Sequence, residues 1–192
     1  MPILAPAPEI LKTRKRIIVL VNDAIQDIGI LAYRQLQRDL GVNGGSVVDF
    51  VKKIIQRSAT GDATEKYQNI FDDGFKLENH NDTPALVVLN TAQLLYSHKH
   101  NKALTMRSWS AMPRKSIAHD MIKIHDVENR VQGHRDPKEH IKSVFDDVLH
   151  NPSRVASDAQ IYLIAIENGT ENMLKILEED CTYCTRISGA CD

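Results

Sequence analysis

The sequence predicts an α/β fold, a doubly wound, mainly parallel sheet with helices on both faces, and three observations predict it. Three continuous apolar runs, RIIVLVN at 16–22, ALVVLN at 85–90 and IYLIAI at 161–166, are rich in β-branched residues. Such runs read as strands buried on both faces, the state of strands in a parallel sheet. Helical patterns separate them, and strands that alternate with helices pair in parallel through crossovers. The last strand then runs straight into a helix through Ala165-Ile166-Glu167-Asn168-Gly169.

Residues 1–15, rich in proline and then in base (Lys12, Arg14, Lys15), read as a flexible lead-in. With Arg16 the cluster is either a solvated approach to the first strand or a nuclear-import patch. From Asp27 the spacing of Ile28, Leu31, Ala32, Leu36 and Leu40 predicts a helix, stopped by Gly41 and the Asn43-Gly44-Gly45 turn. Ser46 is the expected N-cap of the next helix, with Asp49 completing a capping-box-like pair and Val47, Val48, Val51, Ile54 and Ile55 forming one stripe. SATGDAT at 58–64 is a polar loop, and YQNIFDDGF at 67–75 a short helix.

Residues 91–135 lack a clean period. TAQLLYSHKHN reads as a short helix and the remainder as a long excursion over the sheet edge, a type of segment that is usually functional or mobile. Asp136-Pro137-Lys138-Glu139 is a clear helix start, with Asp as N-cap and Pro at the first position. Ile141, Val144, Phe145, Val148 and Leu149 form its buried face, and Asn151-Pro152 ends it. The final helix spans about 170–179, with Met173, Leu174 and Leu177 inward. The predicted core is Ile18, Leu20, Val51, Ile55, Val87, Leu89, Phe145, Leu163 and Ala165.

With 192 residues the chain is long enough for one domain with a real core. Its apolar content of 42% and charged content of 26% are those of a globular protein rather than a disordered one. A net charge of −1 gives no overall bias toward nucleic acid, so any such contact is a local patch. No stretch approaches the ~18–20 apolar residues of a membrane span, and the order of apolar and basic residues at the start is the reverse of a secretory signal. A soluble intracellular domain is expected. Cys181, Cys184 and Cys191 all lie in the last twelve residues, outside the predicted core, which suits a reducing compartment. One CxxC plus one Cys gives three zinc ligands rather than four, so no metal and no cofactor are expected.

The turn at 165–169 has the layout of a nucleophile elbow, G-x-S-x-G, with Ala for the first Gly and Glu167 for the serine. Small residues flank the centre of such a turn because the backbone approaches its neighbours closely. The alternative is an ordinary strand-to-helix turn. The order of elements favours the elbow. In α/β-hydrolases a strand ending in an oxyanion loop comes first, then helix, strand and helix, and then the elbow strand. Here Ile17–Val21 with Asn22-Asp23, the helical region 28–57, Ala85–Leu89, the helix 137–149 and Ile161–Ile166 follow that order.

The runs IIVLVNDAIQDIGILAYRQL, NTAQLLYS, TMRSWSAMPRKSIAH, NRVQG, HIKSVFDDVL and YLIAIENGTENMLKIL resemble the Argonaute-binding protein two family of fungi. The resemblance covers about residues 14–179, and SWSAMPRKS and the elbow are its most specific blocks. Related domains occur at the C-terminus of fungal class II histone deacetylases and in an animal co-transcriptional regulator. The resemblance implies an α/β-hydrolase-like fold. It also implies a place in the machinery that handles small interfering RNA for Argonaute and supports heterochromatin, in the nucleus and possibly also in the cytoplasm. Complete family domains continue past the elbow helix, so 16–179 is expected to be the N-terminal part of a full domain and 180–192 a disordered tail.

A hydrolase keeps its triad acid and histidine after the elbow. An enzymatic reading of this chain needs Glu167 as a carboxylate nucleophile, with a histidine from His119, His125 or His134. Asn22, Asp23 and Asn168 are the oxyanion-loop equivalents, and Glu167 is expected to accept hydrogen bonds from that loop, filling the hole from inside. His98 and His100, on different faces of the expected helix, make a poor metal pair. Arg107, Arg114 and Lys115 bracket Trp109, a cluster suited to phosphates and a stacked base, to protein docking, or simply to plugging the loop. The sequence thus favours a non-catalytic interaction domain with protein partners, Argonaute or deacetylase-complex subunits. A hydrolase lacking its C-terminal half and a weak small-RNA binder are the alternatives, and no membrane contact is expected.

Overall fold

The computed structural model describes residues 1–32, 44–58, 65, 67–72, 83–119 and 122–191. Helix α1 (Pro8–Lys12) precedes strand β1 (Arg16–Val21), and helix α2 spans Val47–Ser58. Strand β2 (Ala85–Leu89) leads to a hairpin of β3 (Leu95–Ser97) and β4 (Lys102–Leu104), followed by α3 (Met106–Ser110). Helix α4 (Pro137–Val144) widens into a π-turn at Phe145–Leu149, then come β5 (Gln160–Ala165), α5 (Asn168–Glu179), a 3-10 helix (Cys181–Arg186) and β6 (Ile187–Cys191).

The three apolar runs are neighbouring parallel strands. Sheet order is β2-β1-β5-β6, with Val21 opposite Leu89 on one side and Ala165 on the other. All four strands run the same way, so their carboxyl ends meet at one edge.

One face of the sheet carries the core. Ile17, Val19 and Val21 pack with Val87, Ile161 and Leu163 against Ile141 of α4, Phe145 and Leu149 of the π-turn, and Met173 and Ile176 of α5. The predicted helix start is present in full: Asp136 accepts from the Glu139 N–H at 3.0 Å, and Glu139 reaches back to the N–H groups of Gly133 and Arg135. In α5, Ile176 is inward where Leu174 was expected, because Gly169, Met173 and Ile176 share the face toward β1 while Leu174 is 54% exposed. The second face is met by α2, whose Val51, Ile54 and Ile55 line with Leu86 and Val88 an open groove of about 490 Å³. Val51 and Ile55 are therefore half-buried rather than core, as is Ile18, which lines another open groove with Tyr162 and Ile164, while Leu20, Val87, Leu89, Phe145, Leu163 and Ala165 are buried as expected.

Four expectations give way. The lead-in is folded: Leu4 bridges Val88 with two backbone hydrogen bonds, Leu11 is buried, and Arg14 is buried with its guanidinium donating to Thr83. The tail is also folded, because β5 would otherwise expose a full row of backbone groups. β6 pairs parallel to it, and Tyr183 packs edge-on to Phe145 at 5.6 Å. The expected helix from Asp27 is absent over 27–32: Gly29 takes φ +82°, Ile30 bridges Ser46, and the Leu31 and Ala32 N–H groups bond the Gly45 carbonyl. Leu36, Leu40 and Gly41 lie outside the described residues, as do 59–64 of the expected loop and 73–75 of the expected short helix. Residues 91–101 form strand β3 and a turn rather than a helix, pairing Leu95 with Leu104. Where sequence and structure agree, Ser46 caps α2, its Oγ accepting from the Val48 N–H at 3.2 Å.

Candidate functional site at the carboxyl edge of the sheet

In an open parallel sheet, ligands bind outside the carboxyl ends of the strands, at the point where successive connections leave in opposite directions. Here the chain moves from β1 to β2 on one side and later returns to β5 on the other, so that point lies between the ends of β1 and β5. Asn22-Asp23 and Ile166-Glu167-Asn168 are the residues there.

Glu167 has φ 52° and ψ −122°, a region that glycine enters freely and other residues enter at a cost of about 1–3 kcal/mol. The turn is held by hydrogen bonds from Gly169 to Ile166 (2.8 Å) and from Thr170 to Glu167 (3.0 Å). Gly169 is required for space: a Cβ there would lie 2.8 Å from the carbonyl oxygens of both Val21 and Asn22. Close approach, the reason small residues are expected at this turn, is thus met at Gly169.

The expected plug is made differently. Glu167 is exposed and makes no cap bond, and Asn168 closes the crevice, its Nδ2 donating to Asp23 Oδ1 at 3.1 Å. Behind that bond lies a polar network. Thr91 Oγ1 donates to the Asn22 carbonyl (2.5 Å), and Asn22 Nδ2 to the Asp27 carbonyl (3.3 Å). Gln93 Nε2 donates to Asp27 Oδ1 (2.9 Å), and Asn90 Nδ2 to Gln93 Oε1 (3.1 Å). Asn22 Oδ1 is buried without a partner among the described residues.

The network ends in a histidine pair. The Asn90 N–H donates to His140 Nε2 at 3.1 Å, and His140 Nδ1 lies 2.9 Å from His134 Nδ1. With Nε2 accepting, the neutral His140 carries its proton on Nδ1 and donates it to His134, whose own proton then sits on Nε2. His140 is fully buried, and its pKa is lowered to about 3, first by burial and then by His134 and the amino terminus. His134 is lowered too, by burial and the amino terminus, against the opposing pull of Asp147 and Glu139.

The sequence did not single out His140, Asn90, Thr91, Gln93 or Asp27 as site residues. For His140 a signal existed: it stands four residues before Val144 and next to Ile141 on the apolar face of α4.

Of the histidines offered as a base for Glu167, His134 is engaged with His140. His119 meets Ser116 Oγ at 2.8 Å, and His125 accepts from the Glu128 N–H at 3.2 Å. His98, in the β3–β4 turn, contacts the Glu128 carbonyl at 2.7 Å. Among the described residues no group of three or more His, Cys, Asp or Glu side chains is arranged for a metal. Cys181 and Cys184 are free and exposed on the 3-10 helix.

The structure separates the aromatic of the second candidate site from its cations. Trp109 is 5% exposed, packs with Leu95 and Leu104, and donates from Nε1 to the Ile122 carbonyl at 2.8 Å. Arg107, Arg114 and Lys115 remain exposed, Arg114 donating to the His119 carbonyl at 3.3 Å.

Sheet and site together define an α/β domain with a strained, elbow-type turn at the carboxyl edge of a parallel sheet. The chain belongs to the Arb2 domain family, whose family model matches residues 2–191. That span includes both the folded lead-in and β6, which sequence reading had set outside the domain. No curated protein and no solved structure matches the chain. Among the described residues no helix is long and apolar enough to cross a membrane.

Proposed function

We propose that this chain is a non-catalytic interaction domain of α/β-hydrolase-like build, serving Argonaute-linked small-RNA silencing or histone deacetylase assemblies in the nucleus. Family membership supports the setting. The observation that carries the non-catalytic reading is the Asp23–Asn168 side-chain hydrogen bond, which spans the switch-point crevice beside Glu167 where a hydrolase would admit its substrate. A carboxylate nucleophile would leave an acyl- or alkyl-enzyme, and clearing it needs a base to activate water. The loop histidines bond elsewhere. Direct small-RNA binding loses support because the Trp109 ring is buried in its own loop and offers no stacking platform.

Co-elution of the purified chain with purified Argonaute or a class II deacetylase subunit tests the reading. A stable complex with one of them, unaffected by Glu167→Gln, is the expected result. No complex with either would contradict it.

A further inference from the structure

The stretch 83–119 contains no Asp or Glu but carries Lys99, Lys102, Arg107, Arg114 and Lys115, in a chain whose net charge is −1. Base is therefore concentrated on the β3–β4–α3 excursion and acid elsewhere. All five of these cations are exposed. The next acidic residues along the chain are Asp120, which lies outside the described residues, and Asp126, which is paired with Arg130.

Apolar side chains stand among those cations. Met106 is 55% exposed, Ile122 41% and Ile117 99%. Two grooves flank Arg114 and share Ser110. One, of about 490 Å³, is lined by Met106, Ile122 and Lys123; the other, of about 510 Å³, by Met112, Ser116 and Ile117. The floor beneath them is fixed: Trp109 packs on Leu95 and Leu104 of the hairpin and donates to the Ile122 carbonyl, and Thr105 caps α3 by accepting from the Ser108 N–H.

We infer that this double groove docks an acidic protein segment bearing apolar anchor side chains, a reading that deepens the interaction role proposed above and rests on it. Charge selects acid: the described residues lining the two grooves include Arg114 and Lys123 and no carboxylate to repel a negative partner. The aliphatic side chains select protein over nucleic acid. Phosphates would use the cations and leave Met106, Ile117 and Ile122 in water, and the buried Trp109 cannot stack a base. A peptide with acids flanking apolar residues covers both features, and methionine adapts to varied apolar shapes.

A displayed library of random 12-residue peptides, selected on the full chain at physiological salt, tests this. Enriched peptides are expected to combine Asp or Glu with Leu, Ile, Met or Phe. Their affinity, read by fluorescence anisotropy, is expected to fall at least tenfold in Met106→Ser with Ile117→Ser, and at least tenfold in Arg107→Glu with Lys123→Glu. Unchanged thermal unfolding of both double variants would confirm that these exposed positions report binding. A single-stranded RNA 12-mer is expected to bind more weakly than the peptides. Enrichment of peptides without acid, affinities unmoved by either double variant, or tighter RNA binding would each overturn the inference. If the inference alone fails, co-elution with Argonaute or a deacetylase subunit survives Arg107→Glu with Lys123→Glu. If the function reading fails, the unaltered chain forms neither complex.

Discussion

At the elbow a costly backbone conformation ends in an exposed carboxylate that makes no cap bond, while the polar groups beside it are bonded to one another. Among the described residues of the excursion from Leu95 to Lys123, Asn101 alone has positive φ, yet six cations and several apolar side chains face solvent. Strain at a functional site usually accompanies chemistry. Here it accompanies a closed network, and the open surface lies elsewhere. The contrast teaches that an elbow's shape and its chemistry are separable. Shape needs only Gly169 against β1, whereas chemistry needs a base and an unoccupied hole.

The closed side of the comparison breaks most severely at His140. Replacing it with Ala removes a fully buried ring and leaves the Asn90 N–H without its acceptor. A loss of about 3–4 kcal/mol in denaturant unfolding is expected. The same residue sets a pH dependence. Its folded pKa of about 3 lies below the unfolded 6.5, so the unfolded chain takes up a proton that the folded chain refuses. This contribution is constant above pH 6.5. Below it, stability falls by up to about 1.4 kcal/mol per pH unit until the folded value is reached. His140→Ala should flatten that slope, and a slope that persists unchanged would assign it to other groups.

Gly169→Ala tests whether packing fixes the elbow. Its Cβ would meet two backbone carbonyls that cannot rotate away, and a loss of about 2–3 kcal/mol is expected from the thermal midpoint and unfolding enthalpy. A neutral substitution would mean that β1 and α5 separate easily. The smallest effect has the opposite sign. Glu167→Gly relieves the positive φ at an exposed position and should raise stability by about 1 kcal/mol. A loss instead would show that the carboxylate is held in the folded state.

How far the sequence carried depends on whether a residue's setting is local. β1, β2 and β5 were legible because continuous β-branched runs need no partner to be recognised, and the start of α4 was legible because Asp136, Pro137 and Glu139 act within one turn. β3 and β4 were not, since three-residue strands such as Leu95–Ser97 and Lys102–Leu104 owe their state to each other. β6 was hidden for a similar reason: in ISGAC only the pairing with β5 makes a strand. At the site, Glu167 and Gly169 could be read from their spacing. Asn90, Gln93 and Asp27 could not, because a strand end, a loop and a turn meet there only after the sheet has formed.

The most direct test of a closed elbow is hydrolysis of a short-chain p-nitrophenyl ester by the purified chain, beside Glu167→Gln. Release of nitrophenolate at the buffer rate by both proteins is the result predicted here. Turnover well above buffer that disappears in Glu167→Gln would contradict it and make Glu167 a working nucleophile.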